Sequence, residues 1–257
     1  MANSMFDLTG KVAVITGSTK GIGRAIAEAM ARAGARVVIS SRKADKCEGV
    51  ARALTGEGLE ATAIPCNVGN REEVGHLVAE TRQRYGRIDS LVCNAAANPY
   101  FGPMAGLTDE VFTKIMDINV RSTLWLCNLV IPEMAERRDG SVIVVSSVAG
   151  LKGTALLGAY AVSKAASMQL VRNLAVEWGP ANVRVNGIAP GLVRTDFARA
   201  LWENPKALAQ AEAYYPLRRI GEPDDIGGAA VFLASRAGHW ITGQTIVIDG
   251  GGTIAGG

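Results

Sequence analysis

The first forty residues constrain the fold most. Lys11 to Thr16, KVAVIT, reads as a short apolar strand. A glycine-rich turn follows, Gly17-Ser18-Thr19-Lys20-Gly21-Ile22-Gly23, then a helical stretch from Arg24 to Ala33. Gly34 ends that helix, and Arg36 to Ser41, RVVISS, is a second strand. The same alternation runs on through the chain. Further strands are expected at Glu60 to Ile64, Ser90 to Asn94, Ser141 to Ser146, Val183 to Ala189 and Thr245 to Ile248. Helices are expected at Ala44 to Gly56, Glu72 to Tyr85, Asp109 to Ile118, Val120 to Arg137 and Tyr160 to Trp178. Near-continuous apolar runs with helices between them are what a parallel sheet covered on both faces requires.

The fold class is therefore α/β. We expect one Rossmann-like, doubly wound domain over residues 1–257, with a seven-stranded parallel sheet flanked by helices. There is no linker, repeat or low-complexity stretch to divide it. Strand, glycine turn, helix and strand within about thirty residues is the unit that binds a dinucleotide. Glycines let backbone approach a pyrophosphate, and a helix N-terminus attracts its charge. The spacing here is G-x-x-x-G-x-G rather than G-x-G-x-x-G. Ligand should lie at the C-terminal strand ends, where the strand order reverses.

Composition removes several function classes. The net charge is only +3 and the basic residues are scattered, which argues against a nucleic-acid partner. Cys47, Cys66, Cys93 and Cys127 are isolated, and His76 and His239 each stand alone, so no metal site is expected. Buried free thiols in a reducing compartment are the default. The N-terminus lacks a basic-then-apolar signal pattern and no apolar run is long enough to span a membrane. A cytoplasmic protein without a membrane partner is the expectation.

The chemistry-bearing stretch begins at Tyr160. Alanines dominate the first half of this helix, and Met168, Val171, Leu174, Ala175 and Trp178 form its apolar stripe. Tyr160 and Lys164, four residues apart, lie on one helix face. A positive charge beside a phenol favours the phenolate, so its proton is easier to give up. Ser147 follows the apolar run Val142 to Val145, thirteen residues before Tyr160. A strand end and a helix start can face each other across one crevice.

These motifs together resemble the short-chain dehydrogenase/reductase family. Thr16 and the glycine turn match its TGxxxGIG motif, and Asn94-Ala95 its Asn-Ala-Gly motif. Asn119-Val120, Ser147, Tyr160 and Lys164 match its catalytic tetrad, and Pro190-Gly191 with Thr195 its nicotinamide-side turn. The resemblance spans Leu8 to Asp249. It implies that Tyr160 is the general acid or base, that Lys164 lowers the phenol pKa and binds the nicotinamide ribose, and that Ser147 holds the substrate oxygen. Asn119 would position a water between Lys164 and solvent; a helix-kink or capping role is its alternative. The implied cofactor contacts are Gly17, Ser18, Thr19, Lys20, Gly21, Ile22, Gly23, Ser41, Arg42, Lys43, Asn67, Val68, Asn94, Ala95, Tyr160, Lys164, Pro190, Gly191, Val193 and Thr195. Two departures stand out: Asn67-Val68 replaces the usual Asp-Val, and Ala96 replaces the last glycine of Asn-Ala-Gly.

The second strand ends Ser40-Ser41-Arg42-Lys43 with no carboxylate, and Lys20 stands inside the glycine turn. An Asp there would repel a ribose phosphate, whereas Arg or Lys binds it. NADP(H) is the expected cofactor, with Arg42 carrying most of the preference. Tyr100, Leu151, Leu157, Phe197 and Trp202 are expected to line an apolar substrate pocket, and residues 192–215 to form a lid. Such a pocket suits an apolar ketone or aldehyde, interconverted with its alcohol. The runs SSRK, NAAANPYFGPM and APGLVRTDFARALW look like those of the NADP-dependent carbonyl and retinol reductases of animal peroxisomes. Their Ser-Arg-Leu address is not matched by Ile254-Ala255-Gly256-Gly257, so only the chemistry is expected to carry over. The enzyme alternative is a 3-oxoacyl-carrier-protein reductase, with Arg137-Arg138 meeting an acidic carrier. The alternative of another class is a non-catalytic NADP-binding sensor. By resemblance the chain forms a homotetramer or homodimer.

Overall fold

The computed structural model describes residues 5–255; Met1–Ser4 and Gly256–Gly257, including the end of the C-terminal tail considered above, lie outside the described residues. Strands β1 (Val12–Thr16), β2 (Arg36–Ser40), β3 (Ala61–Ala63), β4 (Ser90–Cys93), β5 (Gly140–Val145), β6 (Val183–Pro190) and β7 (Thr245–Ile248) follow one another through the chain. They form one parallel sheet in the order β3-β2-β1-β4-β5-β6-β7. The order reverses between β1 and β4, where a crevice opens at the C-terminal strand ends. The border strands are short: β3 has three residues and β7 four.

Alternate residues of each inner strand meet different helix layers. On one face Ala13 and Ile15 of β1 pack with Ile26 and Met30 of α1 (Gly21–Arg32) and Cys47 and Leu54 of α2 (Ala44–Gly56). Ile226 and Ala230 of α9 (Asp224–Ala234) complete that layer. On the other face Val14 packs with Leu77 of α3 (Arg71–Tyr85), Leu126 and Val130 of α5 (Ser122–Glu136), and Val171 of α6 (Gly158–Trp178). Neither face of β1 can be polar, which is why it reads as an unbroken apolar run. Each such side chain contributes about 1.5–3 kcal/mol by leaving water.

Element limits differ from expectation where local hydrogen bonding decides them. Helix α1 begins at Gly21, so the last three residues of the glycine turn are its first turn. Helix α3 starts one residue early because Asn70 caps it, its side chain accepting from the amides of Glu72 and Glu73. The expected break at Asn119 is a π-helical turn, Asp117–Arg121, joining α4 (Asp109–Met116) to α5. The expected lid is itself largely helical, with α7 (Arg199–Trp202) and α8 (Pro205–Tyr214). Asn204 caps α8 and Pro205 opens it. Among the described residues no helix is long and apolar enough to cross a membrane. All four cysteines are buried and unpaired.

Candidate active site

The glycine turn is shaped from below. Gly17 and Gly21 have φ of +66° and +55°, conformations that strain any side chain. A Cβ on Gly23 would lie 2.3 Å from Asn94 Nδ2 and 2.4 Å from the Gly17 carbonyl oxygen. Asn94 donates to the carbonyls of Thr16 (2.9 Å) and Gly17 (3.2 Å), and the Thr16 hydroxyl accepts from the amides of Asn94 and Ala95 (both 3.1 Å). Asn94 therefore holds the turn from beneath. Ser18 is fully buried and stitches the turn to β2: its hydroxyl donates to the Ile15 carbonyl (2.7 Å) and accepts from the Ser40 amide (2.8 Å). Thr19 donates to the Ser41 hydroxyl at 3.2 Å.

The residues present fit a dinucleotide. The N-terminus of α1 has no side-chain cap on its backbone donors, which leaves the Gly21, Ile22 and Gly23 region available to an anion. At the end of β2, Arg42 and Lys43 are exposed and have no ion-pair partner among the described residues. Lys20 differs from expectation: its ammonium pairs with Asp196 of the lid segment at 3.2 Å. Asn67 is held in place by Glu73, which accepts its amide at 2.7 Å, and Val68 is buried beside it. Across the crevice, Gly191 at the end of β6 donates to the Ile248 carbonyl at 2.9 Å, and Pro190 is the last residue of β6. Val193 bridges to Gly221, and the Thr195 methyl lies against Gly21.

Ser147 follows β5, and Tyr160 stands in the first turn of α6. The Ser147 side chain caps a short turn, Val148–Gly150, accepting from the Ala149 amide at 3.1 Å, and that turn rests on the α6 backbone at Lys164 and Ala165, which sets Ser147 beside the start of α6. Lys164, one turn along, is 3% exposed, with its Nζ 5.5 Å from the centre of the Tyr160 ring. Burial pushes the Lys164 pKa down to about 8. The Tyr160 phenol moves the other way: burial pushes it up to about 12, opposed by the Ser147 hydrogen bond. Burial thus outweighs the groups that favour the phenolate. The Lys164 ammonium donates to the Val145 carbonyl at 2.8 Å.

Asn119 lies in the π-helical turn. It is 3% exposed, and its amide accepts from Ala97 N (2.8 Å) and donates to Ala97 O (3.0 Å) and Ser163 Oγ (2.9 Å). The side chain clamps the loop after β4 to α6 and is not aimed at Lys164. Ser163 in turn donates to the Tyr160 carbonyl at 2.7 Å, and Ser146 to the Lys164 carbonyl at 2.9 Å.

Of the expected pocket residues, Phe197 packs against Tyr160, the two ring centres 5.9 Å apart. Leu157 bridges to Gly102, joining the start of α6 to the Tyr100 loop. Tyr100 donates to the Pro103 carbonyl at 2.7 Å, and Leu151 is exposed at the rim. Trp202 turns its indole N–H to the Thr195 carbonyl at 3.0 Å and packs the lid segment on itself. Sequence reasoning missed Gly150. A Cβ there would lie 2.7 Å from Ala165 N and 2.8 Å from Lys164 C, so this glycine lets the Ser147 turn rest on the α6 backbone. It also missed Ser163, whose place three residues after Tyr160 is the available signal for a hydroxyl that bonds back along a helix.

A dinucleotide cradle and a Ser–Tyr–Lys cluster on one parallel sheet define a class, and comparison with known proteins agrees. A family profile described as enoyl-(acyl carrier protein) reductase matches residues 17–253. The chain belongs to the short-chain dehydrogenase/reductase family and is an NAD(P)-dependent oxidoreductase. Among its relatives is dehydrogenase/reductase SDR family member 4 from Bos taurus, 45% identical over 244 residues that cover 95% of this chain and 88% of the relative. Among solved structures, a gluconate 5-dehydrogenase from Burkholderia cenocepacia, in complex with NADP and tartrate, has a TM-score of 0.95, 32% identity and full coverage of both chains. A 7α-hydroxysteroid dehydrogenase, complexed with NADH and 7-oxo glycochenodeoxycholic acid, has a TM-score of 0.93 and 37% identity, with 98% of each chain covered.

Proposed function

We propose that this protein is an NADP(H)-dependent carbonyl reductase that interconverts an apolar ketone or aldehyde with its alcohol. The observation that carries it is the packing of the Ser147 turn on α6 beside Tyr160 and a buried Lys164, whose Nζ lies 5.5 Å from the centre of the Tyr160 ring. The bound cofactor supplies or accepts the hydride. Tyr160, protonated at neutral pH as any phenol is and more so after burial raises its pKa, gives its proton to the carbonyl oxygen. Ser147 donates a hydrogen bond to the same oxygen as negative charge develops on it. Lys164 supplies a positive charge that offsets the cost of the phenolate left behind. Asn119 is a positioning residue, fixing Ser163 and the Ala97 loop on either side of the crevice.

The cofactor is NADP(H), bound through the α1 N-terminus and Gly17 to Gly23, with Ser41, Arg42 and Lys43 meeting the ribose phosphate. Arg42 and Lys43 carry the preference, since Lys20 is already paired with Asp196. Asn67, Val68, Asn94, Ala95, Pro190, Gly191, Val193 and Thr195 complete the cofactor contacts. Tyr100, Leu151, Leu157, Phe197 and Trp202 form the substrate side, and residues 192–215 close over it as a lid within one domain.

An acyl-carrier substrate is less well supported. Arg137 donates to the Ile88 carbonyl (2.7 Å) and Arg138 to the Pro180 carbonyl (3.1 Å). Both precede β5, at the opposite end of the sheet from Ser147. The exposed apolar side chains Leu124, Leu129, Val162 and Val176 on α5 and α6 support a homodimer or homotetramer, and four buried thiols support a reducing, cytoplasmic setting.

The test is a panel of aromatic ketones and aldehydes with NADPH and NADH. NADPH oxidation is expected with apolar carbonyls; none with any compound would end the reading. In Arg42→Ala the NADPH-to-NADH ratio of kcat/KM should fall about tenfold, the worth of a charge-assisted hydrogen bond.

A further inference from the structure

The loop 151–157 joins the Ser147 turn to the start of α6, so candidate catalytic groups flank it on both sides. Its side chains are mostly apolar: Leu151, Leu156 and Leu157. Lys152 breaks that pattern. It is exposed, and its ammonium lies 5.4 Å from the centre of the Tyr214 ring at the end of α8. Tyr214 is fixed in turn by its hydroxyl, which donates to the Gly252 carbonyl at 2.8 Å. The lysine thus sits where the α6 side of the crevice meets the lid.

Most cations of the lid segment are paired with acids. On the lid segment and its return, Arg194 holds Glu222, Arg199 holds Asp196, and Arg219 holds Asp225. Lys20 on the glycine turn also holds Asp196. Lys152 has no carboxylate partner among the described residues; an aromatic face stands where the others have an acid. Lys206 and Arg218 also lack a carboxylate, but neither lies on the loop between Ser147 and Tyr160, and Arg218 donates to the Ala213 carbonyl. A cation left over a ring keeps most of its charge for an incoming anion.

Chain geometry sets the reach. Three residues of 3-10 helix, Val148–Gly150, are followed by Leu151 in a helical turn, so even fully extended steps from there would put Lys152 Cα no more than roughly 13 Å from Ser147 Cα. A substrate with its carbonyl at Tyr160 and an acidic group several carbon atoms away would span that gap across the leucines.

We propose that Lys152 is a specificity-determining residue that pairs with the anionic end of an amphipathic keto acid whose carbonyl lies at Tyr160 and Ser147. This rests on the carbonyl-reductase reading and names its substrate class: an apolar body with a remote carboxylate. The carboxylate takes the ammonium from the Tyr214 face, and the apolar walls take the body of the molecule.

The probes are benzoylbutyrate and its methyl ester, reduced with NADPH by the full-length protein. The readout is the acid-to-ester ratio of kcat/KM. In Lys152→Ala that ratio is expected to drop about fivefold, in line with one exposed ion pair. In Lys152→Glu it should fall further, and Lys152→Arg should keep most of it. In the unmodified protein the ratio should shrink as salt rises, while a neutral contact would be indifferent to salt. A ratio unchanged in the alanine and glutamate variants, or insensitive to salt in the unmodified protein, overturns the proposal alone. No NADPH oxidation with either probe or with any other ketone overturns the carbonyl-reductase reading, and this proposal with it.

Discussion

The two walls of the crevice are built on opposite principles. On the α6 side the polar groups are buried and partnered: Asn119, Ser163, Lys164 and Ser167 are each 3% exposed or less, and each hydrogen-bonds to protein. On the lid side, α7 and α8 contribute no buried residue, Phe197 is 54% exposed, and the ion pairs lie at the surface. A buried, satisfied network fixes atoms in place, because breaking any member strands another. Surface helices held by exposed pairs cost little to shift. The candidate catalytic groups are therefore held on the first wall, and the second is the one that can shift.

The largest effect that can break this contrast belongs to Tyr160. Tyr160→Phe should lower kcat by about a thousandfold, the scale of a lost general acid, while cofactor binding followed by fluorescence stays intact. Substantial residual turnover would move the proton source elsewhere. Gly150→Ala comes next. A methyl 2.7–2.8 Å from the α6 backbone must lift the Ser147 turn, costing about 1–3 kcal/mol of stability in urea unfolding. Turnover should fall with it, since Ser147 moves.

Lys164 gives a pH signature of similar size. Its folded pKa of about 8 lies below the ordinary lysine value of 10.5. Between those values the unfolded chain binds a proton that the folded chain does not. Stability attributable to Lys164 therefore rises with pH from about 8, by on the order of 2 kcal/mol at pH 10. Above pH 10 the raised Tyr160 pKa acts in the opposite sense. Urea midpoints across pH 7 to 10, compared with Lys164→Met, should show the rise only in the unmodified protein. The smallest effect is expected on the lid. Phe197→Ala should change stability by under about 0.5 kcal/mol, as exposed positions do, yet alter KM for ketones several-fold. A large stability loss there would show that the two walls are less different than they look.

What was legible in the sequence follows the same division. β1, β2, β5 and β6 are buried on both faces, so their apolar runs were plain to read. Tyr160 and Lys164 share one helix, and a spacing of four residues carries their proximity. The partners of Asn119 lie 22 and 44 residues away along the chain, so no local pattern could show that its amide is spent on Ala97 and Ser163. Side-chain spacing gives Lys164 as the neighbour of Tyr160, but not the burial of both groups or the Val145 carbonyl that the ammonium meets. Helices α7 and α8 escaped because a short surface helix leaves no apolar stripe of its own.

The brevity of β3 and β7 has a consequence for handling the protein. Every open sheet ends in two rows of unsatisfied amides, and such rows recruit strands from other molecules. Here the rows are three and four residues long, too few to template a growing fibril, so crowding at high concentration should yield compact assemblies rather than filaments.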